Sequence, residues 1–382
     1  MNIFGYNLSK IKQETIAITE APAALSVGMD NLSLSAMTDL PTIRESRNKD
    51  YVEYGSNNLY PEYLKDMFNT SPTHNAIVKT KAQMVVGDGW IYDDSLLDES
   101  KKIEVIKLLN FIQRDMYDLS LDYQIFGAMA FEIIWSLDFS RIVEVNRIDV
   151  SKLRSGKYED GAVEEWYYKR DWSDRREEAV CLPVLDLSNK EDHRQIIYVP
   201  GQMVSNEYYS EPQYISSMDW ITLESQVGLY YRSLIENGFN PSLVVKIFRR
   251  PGSQEERDQM VSDLKRTFGG VKNTGKAMVM FSDGKELAPE VSPIEVANVD
   301  KQFTVIADQI TQKILTGERA TTPELFGIAV PGQLGSGDFD TKVKCFAKFV
   351  IAPDQFIFEQ AVNKILRLNG YDVKLKLNPF TI

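Results

Sequence analysis

Residues 214–239 read YISSMDWITLESQVGLYYRSLIENGF, and residues 300–317 read DKQFTVIADQITQKILTG. In both segments apolar side chains recur every three or four positions, which is the period of an amphipathic helix. Between them, residues 240–299 contain two apolar runs on either side of a segment with helical spacing. Ser253 stands three residues before Glu256 there, as in a capping box. The pattern predicts two helices that carry a small β–α–β module between them.

A glycine-rich segment follows the second of these helices. Residues 328–338 read IAVPGQLGSGD, with three glycines and one proline in eleven positions. Such a composition predicts a loop with little packing of its own. A helix is predicted from about Phe339, broken at Pro353 because proline has no backbone N–H. It resumes as far as Gly370, and residues 373–377 alternate like a short strand.

The part of the chain before residue 214 has a different pattern. Residues 1–50 are rich in Ser, Thr, Ala and Asp without a sustained period, which predicts an extended arm. Helical spacing then dominates up to a long pattern over 101–126. Short strand-like runs follow, including 142–148 and 195–199. Helices first and strands afterwards predict an α+β fold.

Composition places the chain among ordinary folded proteins. It has 382 residues, of which 43% are hydrophobic and 26% charged, and a formal net charge of −12. A negative surface argues against broad phosphate neutralisation. It suits a protein that surrounds DNA and lets it slide, or it serves solubility alone, and charge does not decide between the two. No secretory signal or membrane-spanning run is evident, which predicts synthesis and assembly in the cytoplasm without a membrane partner.

The residues offer little material for catalysis. Cys181 and Cys345 form no CxxC spacing, and His74 and His193 are the only histidines. No P-loop motif occurs. We therefore predict no catalytic residue, metal site or cofactor. Acidic residues are abundant, so a two-carboxylate hydrolase acting on a polysaccharide stays open. An aromatic run could serve it as a stacking strip, or could lie on a sheet face: Trp166, Tyr167, Tyr168 and Trp172.

Four segments stand in a fixed order: Tyr231–Pro241 (YRSLIENGFNP), Asp300–Phe303 (DKQF), Pro323–Gly327 (PELFG) and Phe349–Pro353 (FVIAP), the last continuing through Phe358-Glu359 to Ile365-Leu366. In this order and spacing the chain resembles the portal proteins of tailed bacteriophages, of the HK97-like type. The resemblance covers about 140 residues, and Leu59–Trp90 is similar to the N-terminal part of such portals. Each segment is weak alone, and their order is the specific feature.

The resemblance implies a division of the chain into portal domains. It implies an N-terminal arm (1–50), the N-terminal part of an α/β wing (51–213), a first stem helix (214–239), a clip (240–299), a second stem helix (300–317), a tunnel loop (318–338), and a wing helix with a C-terminal strand (339–382). The chain ends soon after the Pro-broken helix, so we expect a crown that is short or absent.

The resemblance also implies a function and partners. Portals form a ring, usually dodecameric, at the unique capsid vertex of the virion, and double-stranded DNA is packaged and ejected through its channel. Terminase docks on one end and a head–tail adaptor replaces it later, while the major capsid protein or a scaffolding protein surrounds the ring. Such a protein is not an enzyme. Another ring of the head–tail connector is the nearest alternative, disfavoured by the chain length and the stem–clip–stem order.

Candidate site residues follow from the same assignment. In the tunnel loop we expect Gln333, Ser336 and Asp338 to face the channel, unless the segment is a plain surface linker. Lys342 and Lys344, on the helix after the loop, could meet DNA, a neighbouring subunit's carboxylates or only water. The clip carries basic residues that could dock terminase, or could simply form a solvated face of mixed charge: Arg249, Arg250, Lys265 and Arg266.

Overall fold

The computed structural model describes residues 41–379, except 96, 160, 190, 237–243, 248–252, 257, 260–261, 263–277, 282–298, 321–322 and 329–338. Two units divide the chain, Met1–Asp39 and Leu40–Ile382. The first, which holds most of the predicted N-terminal arm, lies outside the described residues.

The second unit begins with a short hairpin and two helices. β1 (Ile43–Arg44) pairs with β2 (Glu53–Tyr54), and α1 (Tyr60–Thr70) and α2 (Pro72–Val86) follow. Ser71 separates the helices: its hydroxyl accepts a hydrogen bond from the His74 N–H at 3.2 Å, and Pro72 occupies the first turn. A serine cap followed by proline is a strong start signal for a helix, so α2 begins at a fixed position.

A long helix lies between α2 and the sheet. β3 (Trp90–Ile91) leads to α3 (Glu99–Phe126), which ends at Gly127 with a positive φ of 74°. A side chain is excluded at this glycine, because a Cβ there would lie 2.3 Å from the carbonyl oxygen of Glu211. The apolar positions that define the sequence pattern are buried, and α3 packs against α2 and the first sheet: Val105, Leu108, Leu109, Ile112, Met116 and Leu119.

The strands form two small antiparallel sheets. The described strands after α3 are β4 (Ala128–Trp135), β5 (Ile142–Ile148), β6 (Leu153–Ser155), β7 (Tyr158–Glu159), β8 (Ala162–Val163), β9 (Glu165–Tyr168), β10 (Val180–Pro183) and β11 (Arg194–Pro200). One sheet has the order β11-β4-β5 and the other β10-β9-β6, with β7 and β8 forming a hairpin. Helices followed by antiparallel strands confirm the α+β fold class.

The next elements correspond to the predicted stem and clip. A 3₁₀ turn (Ile215–Ser217) precedes α4 (Met218–Glu236). β12 (Val244–Ile247) and β13 (Met278–Phe281) then pair in parallel, as a β–α–β connection requires. In the part of the connection that is described, the Glu256 N–H donates to the Ser253 hydroxyl at 3.1 Å. This contact is the helix cap expected from the sequence.

α5 (Val299–Gly317) returns and packs against α4. After it come a 3₁₀ turn (Pro323–Phe326), α6 (Phe339–Phe346), a π turn (Ala347–Ile351), α7 (Ala352–Leu368) and β14 (Lys376–Leu377), which pairs antiparallel with β3. The buried side chains of α7 and the C-terminal strand join the same core as α2 and α3. Among the described residues, no helix is long and apolar enough to cross a membrane.

Candidate functional site

The second stem helix ends in a motif that fixes the direction of the chain leaving it. The Arg319 N–H donates to the Thr316 carbonyl at 3.1 Å, and the Ala320 N–H donates to the Leu315 carbonyl at 2.8 Å. This pair of bonds is the Schellman motif, in which the residue after the helix adopts a left-handed conformation. Arg319 does so with a φ of 59°, although glycine is the usual residue there. We therefore expect a contact of the Arg319 side chain to compensate for the unfavourable backbone conformation.

Arg319 contacts the Pro-interrupted helix. Pro353 lies in the first turn of α7 and has no N–H, so it cannot bond to the carbonyl of Phe349 four residues earlier. The π turn before it bonds the Ala352 N–H to the Ala347 carbonyl instead. The Arg319 guanidinium donates to the Phe349 carbonyl oxygen at 2.9 Å. The break in one helix is therefore hydrogen-bonded by a side chain from the end of another.

A buried ion pair lies next to this contact. Glu318 is 1% exposed and accepts hydrogen bonds from Lys81 Nζ at 2.7 Å and from His74 Nδ1 at 2.6 Å. Burial alone would raise the pKa of Glu318, but the Lys81 ammonium and the hydrogen bond from His74 hold it at about 2. Both partners lie on α2, so a buried ion pair attaches the end of α5 to α2.

The chain after Glu318 also packs back on the helix that follows the loop. In the 3₁₀ turn, Phe326 is buried and meets the ring of Phe346 edge to face, with centroids 5.4 Å apart. The Ile328 N–H donates to the Pro323 carbonyl at 3.1 Å and closes the turn. We call the contacts among Glu318, Arg319, Phe326, Phe346 and Phe349 the loop root, because residues 329–338 leave from it and return to it.

Close approach at the end of α5 leaves no room for a side chain at Gly317. A Cβ on Gly317 would lie 2.4 Å from the Cβ of Ser217, in the 3₁₀ turn that precedes α4. Real Cβ contacts are never that short, so glycine is required for steric reasons although its φ is not positive. The two stem helices therefore meet tightly at the end nearest the wing.

A second buried carboxylate joins three elements beside the loop root. Asp354, on α7, accepts hydrogen bonds at 2.8 Å from Gln124 on α3 and from Gln213 just before the stem. Burial raises the pKa of Asp354, and the two amide donors partly oppose that rise. Its oxygens therefore contact neutral donors, unlike those of Glu318.

α4, the predicted first stem helix, is attached to α2 at the first turn of α2. Glu224 on α4 accepts hydrogen bonds from the Ser71 hydroxyl, from the Thr73 hydroxyl at 2.6 Å and from the Thr73 N–H at 3.3 Å. The Ser71 hydroxyl therefore caps α2 and also donates a hydrogen bond to Glu224 of α4. Both stem helices are thus bound to α2, one at its first turn and one through His74 and Lys81.

Apolar side chains are exposed on the stem and on the helix after the loop. Leu229 on α4 is 60% exposed, Val305 on α5 is 55% exposed, and Phe349 and Phe356 are 61% and 58% exposed. Large apolar side chains are seldom left in water in such numbers on neighbouring helices. These surfaces are suited to contact with other chains.

The predicted site residues fall into two groups. Gln333, Ser336 and Asp338 of the predicted tunnel loop lie outside the described residues, and so do Arg249, Arg250, Lys265 and Arg266 of the predicted clip surface. Lys342 is half-buried and Lys344 is exposed, both on α6 directly after the loop. Their contact with DNA stays a prediction.

Candidate residues for catalysis are occupied with other contacts. His74 bonds to Glu318, and His193 stacks on Phe139 with ring centroids 4.0 Å apart. Trp166, from the predicted stacking strip, is 3% exposed and stacks on Tyr198 at 4.0 Å, so it offers no open face to a sugar. In the described ranges, no group of three or more His, Cys, Asp or Glu residues is arranged to hold a metal ion.

Sequence reasoning missed the loop root. Glu318 lies 244 positions after His74 and 237 positions after Lys81, so no local sequence pattern joins them. Two signals were nevertheless present. Lys81 and His74 lie among buried apolar residues of α2, where a charge needs a partner, and Pro353 leaves a helix carbonyl in need of a donor.

Comparisons with known proteins identify the fold but not the sequence family. No protein-family model matches the chain, and no curated protein matches it. A chain in the neck of the empty gene transfer agent (GTA) particle, computed with C6 symmetry, has a TM-score of 0.56 at 14% identity, covering 83% of this chain and 84% of that one. The neck of the native GTA particle, computed with C12 symmetry, gives 0.54 at 14% identity with the same coverage.

A third solved structure is more distant. An HK97 family phage portal protein from Corynebacterium diphtheriae has a TM-score of 0.48 at 11% identity, covering 82% of this chain and 94% of that one. A TM-score below 0.5 supports no further argument. The two comparisons with the GTA neck show a shared fold over most of the chain, and at these identities they show the fold alone.

Proposed function

We propose that this chain is the repeating subunit of a portal, a ring at one vertex of a phage or phage-like capsid whose channel conducts double-stranded DNA. The observation that carries the proposal is the fold shared with a chain of the GTA particle neck over 83% of this chain. The C12 symmetry of that neck agrees with a dodecameric ring. The four ordered sequence segments that resemble HK97-like portals support it separately.

The stem geometry supports a role in conducting DNA. α4 and α5 pack against each other, and both are bound to α2 through Glu224 and Glu318. A channel wall must hold its shape while a charged polymer moves past it, and two attachments to one buried helix supply that stiffness. Residues 329–338 leave from the loop root at this end of the stem. In the portal assignment this segment narrows the channel, with Gln333, Ser336 and Asp338 facing the DNA.

Charge fits the same role. The formal net charge of −12 disfavours tight, salt-sensitive binding to phosphates, which would stall a moving duplex. Lys342 and Lys344 would supply a local, weak attraction beside the loop. The clip, through Arg249, Arg250, Lys265 and Arg266, would dock terminase during packaging and the head–tail adaptor afterwards. In this assignment the chain is structural and not enzymatic, and it resides in the virion after assembly in the host cytoplasm.

The test is direct imaging of assembly. The purified protein, at high concentration and also mixed with the capsid and scaffolding proteins of its own particle, is examined by negative-stain microscopy and mass photometry. Closed rings of about a dozen copies with a central hole are the expected result. A chain that stays monomeric under both conditions would contradict the portal assignment and reopen the hydrolase alternative.

A further inference from the structure

Two exposed phenylalanines form a stripe on the helix after the loop. Phe349 lies in the π turn and Phe356 lies seven positions later on α7, about two helical turns away, and they are 61% and 58% exposed. Lys344 and Lys348 are both exposed and four positions apart, and Lys348 directly precedes Phe349. We call Phe349, Phe356, Lys344 and Lys348 the aromatic stripe.

The stripe has a fixed position relative to the stem. The Phe349 carbonyl accepts the hydrogen bond from Arg319, which follows α5 directly. The Lys348 ammonium lies 5.9 Å from the centroid of the Phe349 ring, so charge and aromatic surface are adjacent. An exposed apolar surface that is held in place loses little conformational freedom when a partner covers it. The stripe is therefore suited to a specific contact.

Two other exposed apolar surfaces could receive it. At the end of α4, Leu229 is 60% exposed and is followed by the cation Arg232. On α5, Val305 is 55% exposed and the exposed carboxylate Asp308 lies one turn later on the same face. The stripe carries two lysines, the charged side chain beside Val305 is the acidic Asp308, and the one beside Leu229 is the basic Arg232, while Lys313 is exposed further along α5. Charge complementarity favours the α5 surface.

We propose, resting on the proposed ring, that the aromatic stripe of one copy packs on the Val305 surface of the next copy, with Lys344 and Lys348 facing Asp308. A head-to-tail ring needs two different, complementary surfaces on each subunit, and these two are apolar, opposite in charge and on separate helices. The contact joins the helix after the loop to the stem of the neighbour. It also places the loop root of each subunit against the next subunit's channel wall.

The first experiment removes the apolar surface. The double variant Phe349→Ser/Phe356→Ser is compared with the wild type by mass photometry and negative stain under the conditions in which the wild type forms rings. The expected result is a loss of closed rings, with half-assembly shifted to at least about tenfold higher protein concentration. The control is Leu137→Ser, which removes a side chain that is 93% exposed in the β4–β5 turn and should assemble normally.

The second experiment tests the partner surface by charge exchange. Lys348→Glu and Asp308→Lys should each reduce ring formation several-fold, and the double variant should restore it, because the pair is reversed but still opposite. In a parallel test, Gln309→Cys in a Cys181→Ser background should form disulfides with native Cys345 of the neighbouring copy when an added oxidant such as copper–phenanthroline removes the two electrons. Because every copy carries both cysteines, a non-reducing gel should show a ladder of linked copies from the dimer upward. Circular dichroism melting confirms that each variant is folded.

The outcomes separate this inference from the function on which it rests. If the phenylalanine variant still forms rings as the wild type does, or if the charge-exchanged double variant does not recover ring formation, the aromatic stripe is not the contact. The portal proposal would then stay intact. A wild type that forms no ring, even with capsid and scaffolding proteins, overturns both. Loss of rings in the phenylalanine variant, together with loss in each single charge variant and recovery in the Lys348→Glu/Asp308→Lys double variant, would support both.

Discussion

The helices α4 and α5, the two predicted stem helices, are attached to the same helix, α2, by different chemistry. At the first turn of α2, Glu224 of α4 accepts hydrogen bonds from Ser71 and Thr73 in a half-buried site. Further along α2, Glu318 at the end of α5 is 1% exposed and bonds to a buried ammonium. The Glu224 carboxylate of the first site is partly exposed to water, and the Glu318 carboxylate of the second is not. The attachment nearest the loop should therefore be the less tolerant of change.

The largest expected effect comes from breaking the buried ion pair. Glu318→Gln keeps the shape of the side chain but leaves Lys81 charged and buried without its counterion. We expect a loss of about 3–5 kcal/mol in the free energy of unfolding, measured by urea denaturation. The partly exposed pair of Lys49 and Glu53 provides the control, and Glu53→Gln should cost about 0–1 kcal/mol.

A double variant sharpens this result. Glu318→Gln combined with Lys81→Met removes both charges and should recover part of the loss, since replacing a whole buried ion pair costs less than leaving one charge alone. A double variant that loses as much as the sum of the two single variants would contradict the role given to the pair. Such an outcome would mean that each side chain acts through separate packing contacts.

Acid should weaken the α5 attachment over a defined range of pH. The pKa of Glu318 lies at about 2 in the folded protein, below its ordinary value of 4.5. A carboxyl group with a lowered folded-state pKa contributes its full stability above the unfolded pKa and loses it as the pH falls. The wild type should therefore lose stability between about pH 4.5 and 2. Glu318→Gln should lose less over that range in the same denaturation series, and equal slopes would contradict the assignment.

The α4 attachment should be the weaker of the two. Glu224→Ala removes the acceptor for the Ser71 and Thr73 hydroxyls, and water can replace it at this half-buried site. We expect a loss of about 1–2 kcal/mol, less than that of Glu318→Gln, in thermal or urea unfolding. Asp219→Asn, on the same helix and exposed, should change almost nothing. A loss at Glu224 equal to that at Glu318 would remove the distinction between the two sites.

The smallest effects are expected at Arg319. Arg319→Ala removes the donor to the Phe349 carbonyl and keeps the left-handed backbone, at a cost of about 1 kcal/mol. Arg319→Gly removes the same donor but relieves the backbone, a gain of about 1 kcal/mol, so it should lie close to the wild type. Unfolding measurements on both variants separate the two contributions. A glycine variant less stable than the alanine variant would contradict the reasoning.

Sequence patterns predicted most of the elements because those elements are governed by local periodicity. β5 was expected at 142–148 and has those limits, and the parallel pair in the predicted clip follows from two apolar runs around a capped helix. The Pro353 break was expected, but the π turn before it was not, because the chain can accommodate a missing N–H in several ways. The attachments of Glu318 and Glu224 join distant segments, which periodicity cannot reveal.

The hydrogen bond from Arg319 to Phe349 has a consequence for how such chains diverge. It joins positions 30 apart and so fixes both ends of the segment between them. Lengthening a flexible segment whose ends are already held costs only about 0.6 kcal/mol for each doubling. Insertions and deletions within 329–338 should therefore be inherited without disturbing either helix. Under the portal function proposed above, homologous chains can then vary the bore of the channel through loop length while the two helices stay unchanged.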